Sequence, residues 1–276
     1  ENPGRVTIRR LNRSEYKNTI RDLFGIYVNT ENFFPPDDTG YGFDTIGEVL
    51  SMSPILMEKY MQMAENILTK AFGPLESMRE LEQKFQDNRM KLLHGIDEKD
   101  FNDELVERTL ETMLSKIFRR TISGNELRRH MNFFIRMKIQ ENSSFLALRL
   151  VLKAALVSPH FLFREEYQPN SNDKESIHQL DAFALASRLS YFLWSSTPDD
   201  RLLKMAREKT LLQNLEREAL RMIQDEKADG FVQNFTGQWL QIRDLDLMDP
   251  DLNRFPDFSA ELKESMRQET ESFFAY

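Results

Sequence analysis

The stretch Ser53-Pro54-Ile55-Leu56-Met57-Glu58-Lys59-Tyr60-Met61-Gln62-Met63-Ala64-Glu65-Asn66-Ile67-Leu68-Thr69-Lys70-Ala71-Phe72-Gly73-Pro74 decides the fold class. Leu56, Tyr60, Met63, Ala64, Ile67, Leu68 and Ala71 recur at three- and four-residue steps, while Glu58, Lys59, Gln62, Glu65, Asn66 and Lys70 fall opposite. That is the period of a helix with one apolar stripe. Ser53 offers a capping hydroxyl, Pro54 suits the first helical position, and Gly73-Pro74 ends the run. The same signals recur outward from it. Asn12 or Ser14 caps a short helix through Phe24 with Gly25 at its stop, and further helices are predicted at about 100–119, 124–140, 144–157, 181–194, 198–207, 211–225, 229–242 and 259–275. Ser123-Gly124-Asn125-Glu126 reads as a capping box, and Thr197-Pro198-Asp199-Asp200 as a cap, a first-position proline and first-turn acids. Asp229-Gly230 lies inside a helical pattern and not between alternating strands. The expected fold is all-α and multi-helical, with two or three packed helical subdomains.

Irregular loops are expected at 29–47, which holds three Gly and two Pro, and at 244–258, which holds five Asp and two Pro. A polar, turn-rich break at Tyr167 to Lys174 divides the chain near residue 170. The domains so read are 1–73, a connector at 74–98, a second helical domain at 99–168 and a third at 169–276. The 276 residues carry a net charge of -8, unevenly spread: 13 Lys+Arg against 17 Asp+Glu in residues 1–100, 11 against 8 in 101–170, and 13 against 20 in 171–276. An acidic chain argues against general nucleic-acid binding, which draws its affinity from Lys and Arg neutralising phosphates. The longest nearly apolar stretch, Leu150 to Val157, is far short of the roughly 20 residues a membrane span needs. With no Cys there is no disulfide, thiolate metal ligand, thiol nucleophile or thioether to haem in this stretch. Both ends look cut, and the closing Phe273, Phe274 and Tyr276 are expected to pack against further polypeptide.

Longer motifs carry a resemblance. Arg10-Leu11-Asn12-Arg13-Ser14-Glu15-Tyr16, Asn18-Thr19-Ile20-Arg21-Asp22-Leu23, Phe34-Pro35-Pro36-Asp37-Asp38, Gly42-Phe43-Asp44 and Ser53-Pro54 resemble the first of several domains of unknown function in large planctomycete proteins that carry a c-type cytochrome domain. Phe118-Arg119-Arg120 and Ser158-Pro159-His160-Phe161-Leu162-Phe163-Arg164-Glu165 are similar to the second such domain. Ala186-Ser187-Arg188-Leu189-Ser190-Tyr191-Phe192-Leu193-Trp194-Ser195-Ser196, with Pro198-Asp199-Asp200, Phe235, Gln238-Trp239-Leu240, Glu269-Thr270 and Phe273-Phe274, is similar to the third. The resemblance implies an exported, periplasmic or otherwise extracytoplasmic protein whose haem c sits in an upstream domain, with the remaining domains and a redox protein as partners. It supplies no catalytic residue.

Candidate chemistry is sparse. Asp37, Asp38 and Asp44 gather with Thr39, Gly40 and Gly42 in one loop, where oxygen ligands on a flexible turn suit calcium; the same carboxylates could cap helices and turns. The run Arg243 to Asp251 could hold calcium or present a negative face to a partner, or form a loop with leucines tucked in and acids facing water. Among His94, His130, His160 and His178 no pair has the i, i+4 spacing of a helical zinc site. His160 is a candidate distal group or axial ligand for a haem supplied by another domain, or a hydrogen-bonded structural His. Arg188, the only charge between Asp181 and Asp199, either pairs with a carboxylate of its own domain or reads an anionic ligand. Arg119-Arg120 and Arg128-Arg129 read as a solvated basic face, and the 21 Phe as core packing. Three functions are compatible with these residues: a cofactor-free scaffold forming a substrate or partner cleft in a multidomain cytochrome, an enzyme acting on a polymer such as a polysaccharide with or without calcium, and a structural envelope protein.

Overall fold

A computed structural model describes residues 8–73, 102–166 and 179–275, apart from Leu252; His94, His178, the 74–98 connector and the break at 167–174 lie outside the described residues. The described chain is all-α save for one two-stranded ribbon. Its elements are β1 (Arg9–Arg10), α1 (Arg13–Phe24), α2 (Pro54–Phe72), α3 (Asp103–Ile117), α4 (Gly124–Glu141), α5 (Ser144–Leu156), α6 (Pro159–Leu162), β2 (Phe163–Arg164), α7 (Ala182–Leu193), α8 (Asp200–Arg207) and α9 (Leu215–Ile223). Then α10 (Asp229–Phe231), a π-helical turn (Val232–Thr236) and α11 (Gly237–Trp239) follow as one rod, before a 3-10 segment (Ile242–Leu247) and α12 (Ala260–Ala275).

Local chemistry explains the helix starts. Asn12 Oδ1 accepts the Glu15 N–H at 2.8 Å, while Glu15 Oε2 accepts the Asn12 N–H at 3.1 Å, closing a capping box on α1. Gly25 ends α1 at φ 67°, a left-handed conformation that glycine adopts without a side-chain penalty. Ser53 caps α2 as expected. The α8 start is displaced from its expected place: Asp199, not Thr197, accepts the Leu202 N–H at 2.8 Å, so Pro198 precedes the helix. A carboxylate is as good a cap as a hydroxyl and also meets the positive helix end.

The box at Ser123 forms as read, and Arg120 reinforces it. Arg120 donates to both Glu126 oxygens at 2.7 and 3.1 Å, and this pairing holds the Glu126 carboxyl down from 4.5 to about 2. A depressed folded-state value gives stability that is present above about 4.5 and is lost as pH falls toward about 2. Glu126→Gln should therefore lower stability by about 1 kcal/mol at neutral pH. It should also flatten the loss between those pH values, as checked by urea midpoints at pH 7 and pH 3.

Residues from Leu11 to Leu162 share one apolar core, to which Tyr191 is added from α7. Its centre is aromatic: Tyr16 meets Phe34, Tyr60 and Phe161 with centroids 5.2 to 5.8 Å apart. Burial pushes the Tyr16 and Tyr191 hydroxyls up. A second core gathers Ala186, Leu193, Trp194, Leu202, Met205, Ala206, Leu211 and Met222. β1 and β2 join the two ends of the first core antiparallel, with Arg9 opposite Arg164 and Arg10 opposite Phe163.

Two expectations are corrected here. Arg119 is not solvated but buried, at φ 58°, and its Nη2 donates to the carbonyls of His160, Phe161 and Phe163 at 2.8 to 3.0 Å. The one-turn α6 leaves carbonyls without helical donors, and Arg119 supplies them. The leucines after Arg243 do not alternate inward either. The segment is 3-10, with a period of three, so Ile242 is buried and Leu245 half-buried while Leu247 is 83% exposed.

Candidate interdomain cleft

The ribbon β1–β2 sets two arginines side by side over one carboxylate. Arg9 Nη2 donates to Glu15 Oε1 at 2.7 Å, and Arg164 Nη1 lies 3.6 Å from the same oxygen. Arg9 Nη1 also donates to the Thr45 carbonyl at 2.7 Å, tying the 29–47 loop to the ribbon. The Arg164 guanidinium lies 4.8 Å over the Tyr191 ring, and its buried Nε–H has no acceptor among the described residues. Beside it, Arg188 Nε and Nη2 donate to Glu166 Oε1 and Oε2 at 2.7 and 2.6 Å. Arg188 is thus paired in a fork within the protein, and the pairing with Glu166 raises its pKa.

These groups form one wall of an open cleft of about 1300 Å³. Leu215 and Ala219 of α9 and Asn234, Phe235 and Gln238 of the π turn and α11 also line it. Extra residues in a helix re-aim side chains, and π turns are frequent at functional sites. This lining is held by a polar network. Asp44 N–H donates to Gln238 Oε1 at 2.6 Å, and Arg243 Nη1 donates to Asp44 Oδ2 at 2.8 Å. Asp44 Oδ1 accepts Asn12 Nδ2 at 2.7 Å, Arg243 Nη2 donates to Asn234 Oδ1, and Asn234 Nδ2 donates to Ser195 Oγ at 2.7 Å. Asp44 therefore joins the N-terminal loop to the C-terminal helices.

Along the cleft and out of it runs a row of aromatic rings. Phe231, Phe235 and Trp239 fall at i, i+4 steps and stack, with centroids 5.1 and 6.1 Å apart. Phe43 stacks on Phe235 at 5.9 Å, Phe192 meets Phe231 edge-on at 5.2 Å, and Phe274 of α12 meets Trp239 at 6.2 Å. Trp239 is 57% exposed, Phe192 56% and Tyr41, at the rim, 95%. The spacing Phe231, Phe235, Trp239 was visible in the sequence; nothing there said that this face stays open.

The residues singled out by sequence do not meet in one place. Arg188 lines the large cleft, and Asp44 braces it from behind. The Asp37 side chain is 6% exposed, accepting Arg10 Nη2 at 2.8 Å and the Arg13 N–H at 2.6 Å, and Asp38 is exposed. Among the described residues no three His, Cys, Asp or Glu are arranged to hold a metal ion. His160 lines a separate hollow of about 220 Å³, its Nδ1 2.7 Å from Glu165 Oε1 and its ring against Phe118. Arg164 and Glu166 stand between the two spaces and line both. No described helix is long and apolar enough to cross a membrane.

Comparison with known families marks three segments, the first two of which share one apolar core. Residues 9–73 match the family model PSD3, protein of unknown function (DUF1587), and residues 106–166 match PSD5, protein of unknown function (DUF1595). Residues 180–276 match PSD4, protein of unknown function (DUF1592). No curated protein and no solved structure matches the chain. In chain order the protein therefore carries segments similar to three families of unknown function, and all three contribute residues to the one cleft.

Proposed function

We propose that this chain is the cofactor-free helical part of an exported, multidomain c-type cytochrome protein, and that it forms the cleft where a substrate or partner sits while redox chemistry proceeds on haem carried by another domain. One observation carries this reading: a single cleft draws its lining from all three matched segments. Ligand sites favour such junctions. The reading as a scaffold, and not as an enzyme in its own right, is supported by the dispersal of Asp37, Asp38, Asp44, His160 and Arg188 over separate places. It is supported too by the commitment of two of the three cleft carboxylates, Glu15 and Glu166, to arginines. Since the chain has no Cys, haem cannot be attached to it by thioethers.

The test uses the full-length protein with a nitroxide on Glu48→Cys, at the cleft, or on Ile139→Cys, which is exposed on α4. The expected result is that oxidised haem iron speeds relaxation of the cleft label more than that of the α4 label. Equal relaxation at both, or none, would contradict the reading.

A further inference from the structure

We propose that the cleft is a saccharide site, which takes a strand of neutral polysaccharide lying across the cleft and out along the aromatic row. This rests on the cleft being the functional site, and adds the class of ligand.

Size comes first. About 1300 Å³, open to solvent, exceeds the roughly 300–1,000 Å³ of a site for one small molecule. That leaves room for a ligand longer than one small molecule.

Charge comes next. The lining holds Arg9, Arg164 and Arg188 against Glu15, Glu48 and Glu166, a formal balance of zero. Arg9 and Arg164 are spent on Glu15, and Arg188 on Glu166. A polyanion would have to displace a carboxylate from one of these arginines, whereas a neutral polymer leaves the pairs intact. That separates a glycan from nucleic acid or an acidic peptide.

The aromatic row supplies the complement. A pyranose ring has an apolar face of C–H bonds and a polar edge of hydroxyls. It fits a surface where exposed aromatic rings stand beside hydrogen-bonding groups. Phe192 and Trp239, each more than half exposed on either side of Phe235, offer the rings, with Tyr41 at the rim.

Affinity electrophoresis of the full-length protein through gels containing a β-glucan, a xylan or a mannan, with alginate as the anionic contrast, tests this at physiological salt. Retardation by at least one neutral polymer is expected, with none by alginate. Trp239→Ala, on an exposed side chain, should weaken that retardation roughly tenfold, and Trp239→Phe should keep most of it. Tyr41→Ala should weaken it at the rim, with melting temperatures unchanged in each variant. No retardation by any neutral polymer, equal retardation by alginate, or retardation indifferent to Trp239→Ala would overturn the assignment. If the haem iron still relaxes the cleft label while no glycan binds, the saccharide assignment fails and the cleft reading stands.

Discussion

Asp37→Ala should lower the stability of the fold by about 3–5 kcal/mol, as measured by the shift of the urea midpoint at constant slope. Arg10 is 5% exposed, and burial would lower its pKa were it not for Asp37 and the Tyr60 hydroxyl, which together hold it raised. Removing the carboxylate leaves that guanidinium with the Tyr60 hydroxyl at 3.1 Å and the carbonyls of Leu11 and Ser51. It also strips the Arg13 N–H, at the start of α1, of its acceptor. Replacing both partners, Arg10→Met with Asp37→Leu, should cost much less, because no charge is then stranded. A loss under about 1 kcal/mol for Asp37→Ala would show that the pair is not buried. A midpoint raised by calcium in the parent and not in Asp37→Ala would show that the carboxylate serves a cation instead.

Gly230→Ala should destabilise by about 1–3 kcal/mol, against the direction that helix propensity alone gives. Alanine in place of glycine inside a helix is ordinarily worth up to about 1 kcal/mol of added stability. At Gly230, however, a Cβ would stand 2.5 Å from the Trp194 carbonyl oxygen and 2.8 Å from its carbon. Those are backbone atoms and cannot swing aside. The rod bearing Asn234, Phe235 and Gln238 must move off α7, and the cleft wall moves with it. Denaturation followed by tryptophan fluorescence gives the sign: a variant more stable than the parent would mean that the two helices do not cross so closely. The same displacement should weaken retardation by the neutral polysaccharide that the parent binds.

Much of this architecture could be read from residues alone, and what could not has physical causes. Caps and apolar periods are local, so Asn12, Ser53 and Ser123 declare their helices within a few residues. The two-residue strands β1 and β2 are too short to show a period of two, and their pairing spans the distance from Arg9 to Arg164. Asp37 and Asp44 sit in a loop whose composition suits a cation. What claims them is arginine: Arg10 from the neighbouring ribbon, and Arg243 from some 200 residues along the chain. Arg188 was expected to pair within its own domain or to read an anionic ligand; its partner is Glu166, across the break in the second domain. Arg119 escaped because charge predicts solvation, while the carbonyls it serves exist only once α6 has formed. The aromatic row was in plain view, and only the fold tells an open face from core.

That three segments close one rigid cleft is tested most directly by a distance across it. Because the chain has no Cys, Glu48→Cys and Leu215→Cys can carry the only two spin labels in it, one from the first segment and one from the third. Dipolar spectroscopy should give a single, narrow distance distribution, and Asp44→Ala, which cuts the network to Arg243 and Asn12, should broaden it. A broad or two-peaked distribution in the parent protein would contradict the account, since the segments would then be independent modules with no fixed cleft between them.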